Sequence, residues 1–337
     1  MEKHDQLKWP GLASEIRAIL RCPSCQGTVR DNAGGMECGS CQRQFPLVNG
    51  VVRFVDKQHY AGSFGFQWLK HDRTQLDSET SRRSEADFIR RTGLNKEDLA
   101  GKLVLDVGCG MGRYAEVASR WGARVIGIDL SQAVEAAARN LADRDVTIFQ
   151  ADVFALPFAL ESFDYIYSLG VLHHTPSCEN AFKGLPKYLK PGGGIAIWLY
   201  SGYHKWYRMS DVYRTVTRRM SPKLLHSICY LSIPLYGIHR ALRVIPLVGR
   251  PASGMLAYAF PMSFNKDPQW RVLDTFDWYS PWYQSKHTYE EVFKWFESCG
   301  LEDLHVAERP VSVRGRKPGS EFRHKHDSDA EVERCVG

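Results

Sequence analysis

The chain has 337 residues, 44% of them hydrophobic and 12% aromatic, the profile of an ordinary globular protein with room for one large domain and a small one. Its net charge of +6 permits an anionic partner without requiring one. No run reaches the roughly 18 consecutive apolar residues of a membrane-spanning helix, which argues against that class.

Met1–Pro10 is charged and polar, unlike a secretory leader. Ser14–Leu20 reads as a short helix running into Cys22-Pro-Ser-Cys25, and twelve residues later comes Cys38-Gly-Ser-Cys41. Each C-x2-C pair is a knuckle that aims two thiolates at one point. Two knuckles close a tetrahedron around zinc with no open position. Cys22, Cys25, Cys38 and Cys41 are therefore the expected ligands of a structural Zn2+. With the following Phe45-Pro-Leu-Val-Asn-Gly-Val-Val-Arg-Phe54, residues 1–56 resemble the zinc-ribbon family that includes the small activator subunit of tRNA, rRNA and release-factor methyltransferases. A fold this small needs such a staple. The other five cysteines (Cys109, Cys178, Cys229, Cys299 and Cys335) show no disulfide-like spacing, so a reduced, cytoplasmic setting is expected.

Residues 57–100 are polar and aromatic, with Phe64-Gly-Phe-Gln-Trp68 followed by Arg73, and apolar positions recur at helical intervals through Phe88 and Ile89. Leu103–Val107 is a short apolar run suited to a buried parallel strand. Asp106, Gly108, Gly110 and Gly112 then form a tight turn, and Arg113–Gly122 continues as a short amphipathic helix whose first N–H groups face whatever occupies the turn. A dinucleotide-binding turn would run G-x-G-x-x-G/A, but Arg113 stands where that pattern needs a small residue. The pattern here is D-x-G-x-G-x-G.

Strands and helices alternate from Lys102 to Tyr200. Arg124–Asp129 is a second buried strand ending in an acid, with Ser131 as the expected N-cap of a helix over Gln132–Ala142. Val146–Gln150 is a third strand, leading to Asp152 and Val153, and Phe163–Ser168 a fourth, followed by Leu169 and the pair His173-His174. A helix to Leu189, the turn Lys190–Gly194 and a fifth strand over Ile195–Tyr200 complete the block. Such alternation predicts a parallel sheet covered on both faces, with ligands bound beyond the carboxyl ends of its strands. Asp106, Asp129, Asp152 and Ser168 are expected to line one crevice there.

At these residues the chain resembles the class I S-adenosylmethionine (SAM) methyltransferases, in the branch of the ubiquinone and menaquinone methyltransferases. The resemblance implies an α/β fold: a Rossmann-like, seven-stranded, mostly parallel sheet with helices on both faces, joined here by the zinc ribbon and a helical insertion. It also implies a cofactor site. Gly108, Cys109 and Gly110 would border the methionine moiety, with Asp106 near its amino group. Asp129 would bind the ribose and Leu130 lie against the adenine. Asp152 would take the exocyclic amine and Val153 offer its N–H, while Ser168 and Leu169 would border the sulfur. In such enzymes helices ahead of the first strand cap the cofactor, so Phe64, Trp68 and Arg73 are expected over the substrate pocket; packing of the ribbon against the main domain is the alternative for the aromatics. SAM carries an activated methyl group, and a base matters only for a hydroxyl or a poorly acidic carbon. His173 and His174 stand where such a base would sit, although the pair is frequent at this place in the family with varied chemistry, so a structural role is the leading expectation.

After the SAM-binding core, residues 101–200, comes an insertion over 201–268. Tyr203–Arg208 and Arg214–Arg219 are basic and aromatic, and Leu224–Val248 is mostly apolar with scattered cations. A helical lid over the site is the leading expectation, ahead of an interfacial helix making peripheral membrane contact through residues 224–248, RNA contact or dimerisation. Residues 269–312 return to the core pattern. Asp277, Trp278 and Tyr279 are substrate-pocket candidates, and Thr288 is the expected N-cap of a helix over Tyr289–Cys299 that Gly300 ends. Leu301–Glu308 reads as a late edge strand, and residues 313–337 as a disordered tail.

Three functions compete. The first is methyl transfer from SAM to a small-molecule, bulky or apolar acceptor. The second is a tRNA or rRNA methyltransferase that uses the ribbon in substrate binding, against which stands the scatter of basic among acidic residues. The third is a non-catalytic SAM-binding protein. The acceptor and the oligomeric state stay open at this level.

Overall fold

The computed structural model describes residues 12–55, 61–78, 81–203 and 208–319. Expectations about Met1–Pro10, Cys335 and the tail beyond 319 lie outside them. The strands are β1 (Val29–Asn32), β2 (Gly35–Cys38), β3 (Gln44–Val48), β4 (Val51–Arg53), β5 (Leu103–Val107), β6 (Arg124–Asp129), β7 (Val146–Gln150), β8 (Phe163–Leu169), β9 (Leu189–Trp198), β10 (Glu302–Val306) and β11 (Ser312–Arg316). The helices that precede and cover the sheet are α1 (Ser14–Ile19), α2 (Gly62–Lys70), α3 (Arg83–Thr92), α4 (Lys96–Leu99), α5 (Arg113–Arg120), α6 (Val134–Asn140) and α7 (Cys178–Lys183). Then follow α8 (Arg208–Thr217), α9 (Pro222–Cys229), α10 (Ser232–Leu242), α11 (Gly249–Ala259), α12 (Pro268–Tyr279) and α13 (Tyr289–Ser298).

The expected seven-stranded sheet is corrected to an eleven-stranded mixed one, in the order β1-β2-β3-β4-β7-β6-β5-β8-β9-β11-β10. The six strands from β4 to β9 in that order are parallel, and antiparallel pairs flank them on both sides. The four extra strands come from the N-terminal cysteine segment. Its last strand, β4, lies parallel beside β7 with Val52 opposite Phe149. Apolar side chains on both faces of the central strands explain how the sheet is covered twice. On one face Val104, Val125, Tyr167 and Ala196 meet Phe88 of α3 and Ala115 and Val117 of α5. On the other, Leu105, Ile126, Ile166 and Ile197 meet Phe182 of α7 and Phe296 of α13, and the same core runs on into Leu20, Met36 and Phe45 of the cysteine segment.

Several local expectations change. Ser131 is not the N-cap of α6, which starts at Val134 with Ala133 as an uncapped N-cap; the Ser131 hydroxyl donates to Asp129 and accepts the Ala133 N–H at 3.2 Å in the turn before the helix. Strand β9 begins at Leu189, running through the glycine turn expected before it. Residues 313–316, expected in a disordered tail, form most of β11, which pairs with both β9 and β10. The insertion holds helices α8 to α11. A small core of Leu225, Cys229, Val272 and Phe276 knits it to α12, with Phe66 of α2 packed against it.

Candidate functional site

The parallel strands end along one edge, where the glycine turn after β5 is clamped to its neighbour. The Gly108 and Cys109 N–H groups both donate to the Ile128 carbonyl, at 2.7 and 2.9 Å. Gly108 has φ 81°, and a Cβ there would stand 2.3 Å from Val171 Cγ1. Gly110 has φ 54° and faces the Trp68 indole, 3.3 Å from where its Cβ would be. Gly108 has no room for a side chain, a Cβ at Gly110 would be tight, and both hold a backbone region that L-residues rarely adopt. Opposite the turn, at the tip of β6, Asp129 Oδ2 accepts the Gly110 N–H at 3.0 Å. Its Oδ1 accepts the N–H and hydroxyl of Ser131 at 2.8 and 2.7 Å. The carboxylate is thereby fixed in place.

Above this edge lies a cavity of about 560 Å³, within the range of small-molecule sites. Its wall brings together Gly108, Cys109, Gly110, Asp129, Leu130 and Val153 with Phe64 and Trp68 of α2. His174, Asp277 and Trp278 also line it. Leu169 lines it as well, while the remaining expected site residues do not. Asp106 is 2% exposed and sits behind the turn, its Oδ2 without a hydrogen-bond partner, and burial pushes its carboxyl up to about 8. Ser168 donates to the Val107 carbonyl at 2.9 Å, stitching β8 to β5. Asp152 Oδ1 accepts the Phe154 N–H at 3.1 Å. Arg73 is exposed to solvent. The Tyr279 hydroxyl donates to the Pro261 carbonyl at 2.7 Å, and the ring packs in the small core of the insertion. The expectation that four strand-end residues share one crevice is therefore corrected: of the four, Asp129 alone reaches it.

The two adjacent histidines part company. His173 is fully buried and stacks on the Tyr200 ring at 4.0 Å, its Nδ1 accepting the Tyr200 N–H. His174 faces the cavity. Its Nδ1 lies 3.1 Å from the Tyr283 carbonyl, which only accepts, so Nδ1 carries the proton and Nε2 presents its lone pair. That Nε2 has no hydrogen-bond partner and lies 3.8 Å from Asp277 Oδ2. Burial lowers the His174 pKa, partly offset by Asp277, so the ring is neutral at pH 7. Tyr200 donates its hydroxyl to Asp277, and burial followed by that carboxylate pushes the phenol well up. Asp274, one helical turn before Asp277, is pushed up to about 6 by burial and accepts the Ser263 hydroxyl at 2.9 Å.

The wall also holds cations that the sequence reading missed. Arg91, Arg113 and Arg309 all line the cavity and all converge on Asp87, at 2.8, 3.1 and 3.3 Å. Burial alone would raise the Asp87 carboxyl, but the three guanidinium groups and the Tyr114 hydroxyl outweigh it and hold it at about 2. One carboxylate thus serves three cations and leaves the wall positive. Arg91 also lies 3.6 Å above the Trp198 ring. Arg113 was legible in principle, since it adjoins the glycine turn. Arg309 is 222 residues from Asp87, and no local pattern announces it.

At the far end of the sheet the Sγ atoms of Cys22, Cys25, Cys38 and Cys41 all lie within 4.8 Å of one another. Cys22 and Cys41 approach to 3.7 Å and Cys25 and Cys38 to 3.4 Å. The Cys41 and Ser40 N–H groups point at Cys38 Sγ, both at 3.4 Å, and pull that thiol down to about 6.

Residues 105–197 match a family model described as a methyltransferase domain. Phosphoethanolamine N-methyltransferase 2 of Caenorhabditis elegans is 33% identical over 170 residues, covering 48% of this chain and 37% of that protein. Sterol 24-C-methyltransferase erg6 of Schizosaccharomyces pombe is 28% identical over 155 residues, 44% of this chain and 40% of that one. Methyltransferase GfsG of Streptomyces halstedii is 33% identical over 181 residues, 51% of this chain and 60% of that one. The chain thus spans between about a third and three fifths of the curated relatives it matches.

Proposed function

We propose that this chain is a SAM-dependent methyltransferase acting on a small, partly apolar acceptor. The observation that carries the reading is Asp129, a carboxylate fixed at the tip of β6 on the cavity wall, directly across from the glycine turn. A ribose offers two adjacent hydroxyl donors to such a group. Leu130 and Val153, beside it on the wall, would flank the adenine, and Gly108, Cys109 and Gly110 would back the methionine part.

When bound, SAM supplies a methyl group already activated by its sulfonium charge. What remains for the chain is alignment, exclusion of water and management of one proton. Phe64, Trp68 and Trp278 give the cavity apolar walls, which supports an acceptor with an apolar part. His174, a neutral imidazole on the cavity wall whose Nε2 has no hydrogen-bond partner, is the group that takes a proton from an acceptor hydroxyl or acidic carbon. Asp277 stands ready to stabilise the imidazolium so formed, held by the Tyr200 hydroxyl. The names of the relatives, which include a phosphoethanolamine and a sterol methyltransferase, support a small-molecule acceptor.

The cysteine cluster supports a structural zinc ion. Four thiolates about 2.3 Å from a tetrahedral zinc would stand about 3.8 Å apart, close to the two separations found here. All four positions are filled by protein, so this metal has no catalytic vacancy.

Calorimetry on the full zinc-loaded chain tests the cofactor reading. SAM and its demethylated product bind, and Asp129→Ala weakens both by about tenfold or more, the worth of hydrogen bonds to a charged group. Absence of heat with either ligand, or unchanged affinity in Asp129→Ala, sinks it.

A further inference from the structure

Helices α10 and α11 form an antiparallel hairpin that projects from the insertion. In the helical turns that adjoin its tip His239 Nδ1 lies 3.1 Å from the Ser253 carbonyl, and midway along α10 the Arg271 guanidinium stacks 3.7 Å over the Tyr236 ring. At its tip the packing stops. All six residues from Arg243 to Val248 are exposed, and five of them are apolar. Val244 is 80% exposed, Leu247 97% and Val248 66%. Leu247 holds φ 63°, a conformation in which a solvated turn ordinarily uses Gly or Asn. A run of exposed apolar residues at a loop tip is an aggregation liability unless something covers it.

The charge around the tip says what covers it. Between Arg208 and Met262 the chain carries eight Lys or Arg and one acid, Asp211, a net charge of +7 against +6 for the whole protein. Arg240, Arg243 and Arg250 ring the tip and are exposed. Apolar side chains at a point, cations behind them and almost no acids form the pattern that partitions into an anionic lipid interface, with arginine stems lying along the acyl boundary and their heads among the phosphates. A second copy docking tip to tip would set two such cationic collars against each other. Among the described residues no helix is long and apolar enough to cross a membrane. Helices of eleven residues rise only about 16 Å, about half the hydrocarbon thickness. The hairpin can therefore enter the interface but not span it.

We propose that the α10–α11 hairpin docks this protein onto an anionic bilayer, with Val244, Leu247 and Val248 entering the interface and Arg240, Arg243 and Arg250 contacting the headgroups. The site is remote in kind from methyl transfer, and the proposal holds whatever the cavity binds. Co-sedimentation of the full chain with vesicles tests it, comparing pure phosphatidylcholine with a mixture containing phosphatidylglycerol. The wild type pellets with the anionic vesicles and much less with the neutral ones, and added salt weakens the binding. The double variant Val244→Glu with Leu247→Glu loses binding about tenfold or more. So does Arg240→Glu with Arg243→Glu. All four positions are exposed, and an unchanged melting temperature checks that each variant is folded. Failure of the wild type to bind anionic vesicles overturns the proposal, as does full binding by the tip variant. A wild-type dimer that the tip variant converts to monomer, without vesicle binding, overturns it in favour of a second copy.

Discussion

At His174 one hydrogen bond decides what the ring can do. Because Nδ1–H is committed to the Tyr283 carbonyl, Nε2 is left as an unpartnered acceptor, and because the ring is buried it stays neutral below the ordinary imidazole pKa of about 6.5. If His174 is the base, turnover is flat from pH 8 down to about 6.5 and falls only below that, as Nε2 takes a solvent proton. His174→Gln keeps the shape, lowers kcat by about 100-fold or more and removes the acid limb, while SAM affinity is unchanged. A pH profile of kcat on both proteins checks this; an acid limb that survives in the variant assigns it to another group. Sequence alone put both histidines at the site, since they adjoin a strand end. It could not choose between them, because the choice depends on a 3₁₀ turn over Leu172–His174 that sends one ring inward against Tyr200 and the other toward the cavity. Asp106 and Ser168 were misplaced for a related reason. Asp106 pairs with Gly127 and Tyr167, and Ser168 with Ile197, so both lie inside the ladder, whereas Asp129 stands at its very tip.

Among elements, the join between α2 and the insertion rests on two histidines. His71 Nε2 lies 2.9 Å from His226 Nε2, both rings are buried, and His226 packs edge-on against Phe66 and Phe276. Only one of the two nitrogens can carry a proton in that contact, so the two rings cannot both be charged. Burial, then His226 and Lys70, push His71 down to about 4, with Asp72 the one neighbour acting the other way. Burial and Lys70 lower His226 as well. The sign follows from proton counting. Between about pH 6.5 and about 4 the unfolded chain binds a proton at His71 that the folded chain does not, so stability falls as pH falls through that window. The slope from this residue is at most about 1.4 kcal/mol per pH unit. Urea unfolding of the wild type and of His71→Asn at pH 7, 6, 5 and 4.5 should show the shallower decline in the variant; parallel declines would remove His71 from the account. This contact was invisible in the sequence, since the partners are 155 residues apart. The α13 start was legible because its signals are local: Thr288 and Glu291 form a complete capping box.

Over the whole molecule, the largest departure from the sequence reading is the sheet. The six strands read from the sequence are all present and β11 is a seventh, but the cysteine segment adds four more to the same sheet, since β4 slots beside β7 and the Phe54 N–H donates to the Gln150 carbonyl at 2.8 Å. A parallel pairing between residues about a hundred apart leaves no periodic trace in either strand. Phe45, Phe54, Phe149, Phe158 and Phe163 then form a continuous line of ring contacts from the cysteine hairpin to β8. Arg53 meets Glu135 of α6 at 2.7 Å across the same seam. A metal site built into a shared core stabilises everything that core touches, because folding and metal binding are one equilibrium. Removing zinc with a chelator, or replacing Cys22 with Ser, should therefore lower the melting temperature of the entire chain by about 10 °C or more in one transition. Calorimetric melting with metal analysis on the same sample checks it. Two separated transitions, the larger unmoved by chelation, would show instead that the cysteine segment unfolds alone and that the joined sheet carries no cooperativity across the β4–β7 seam.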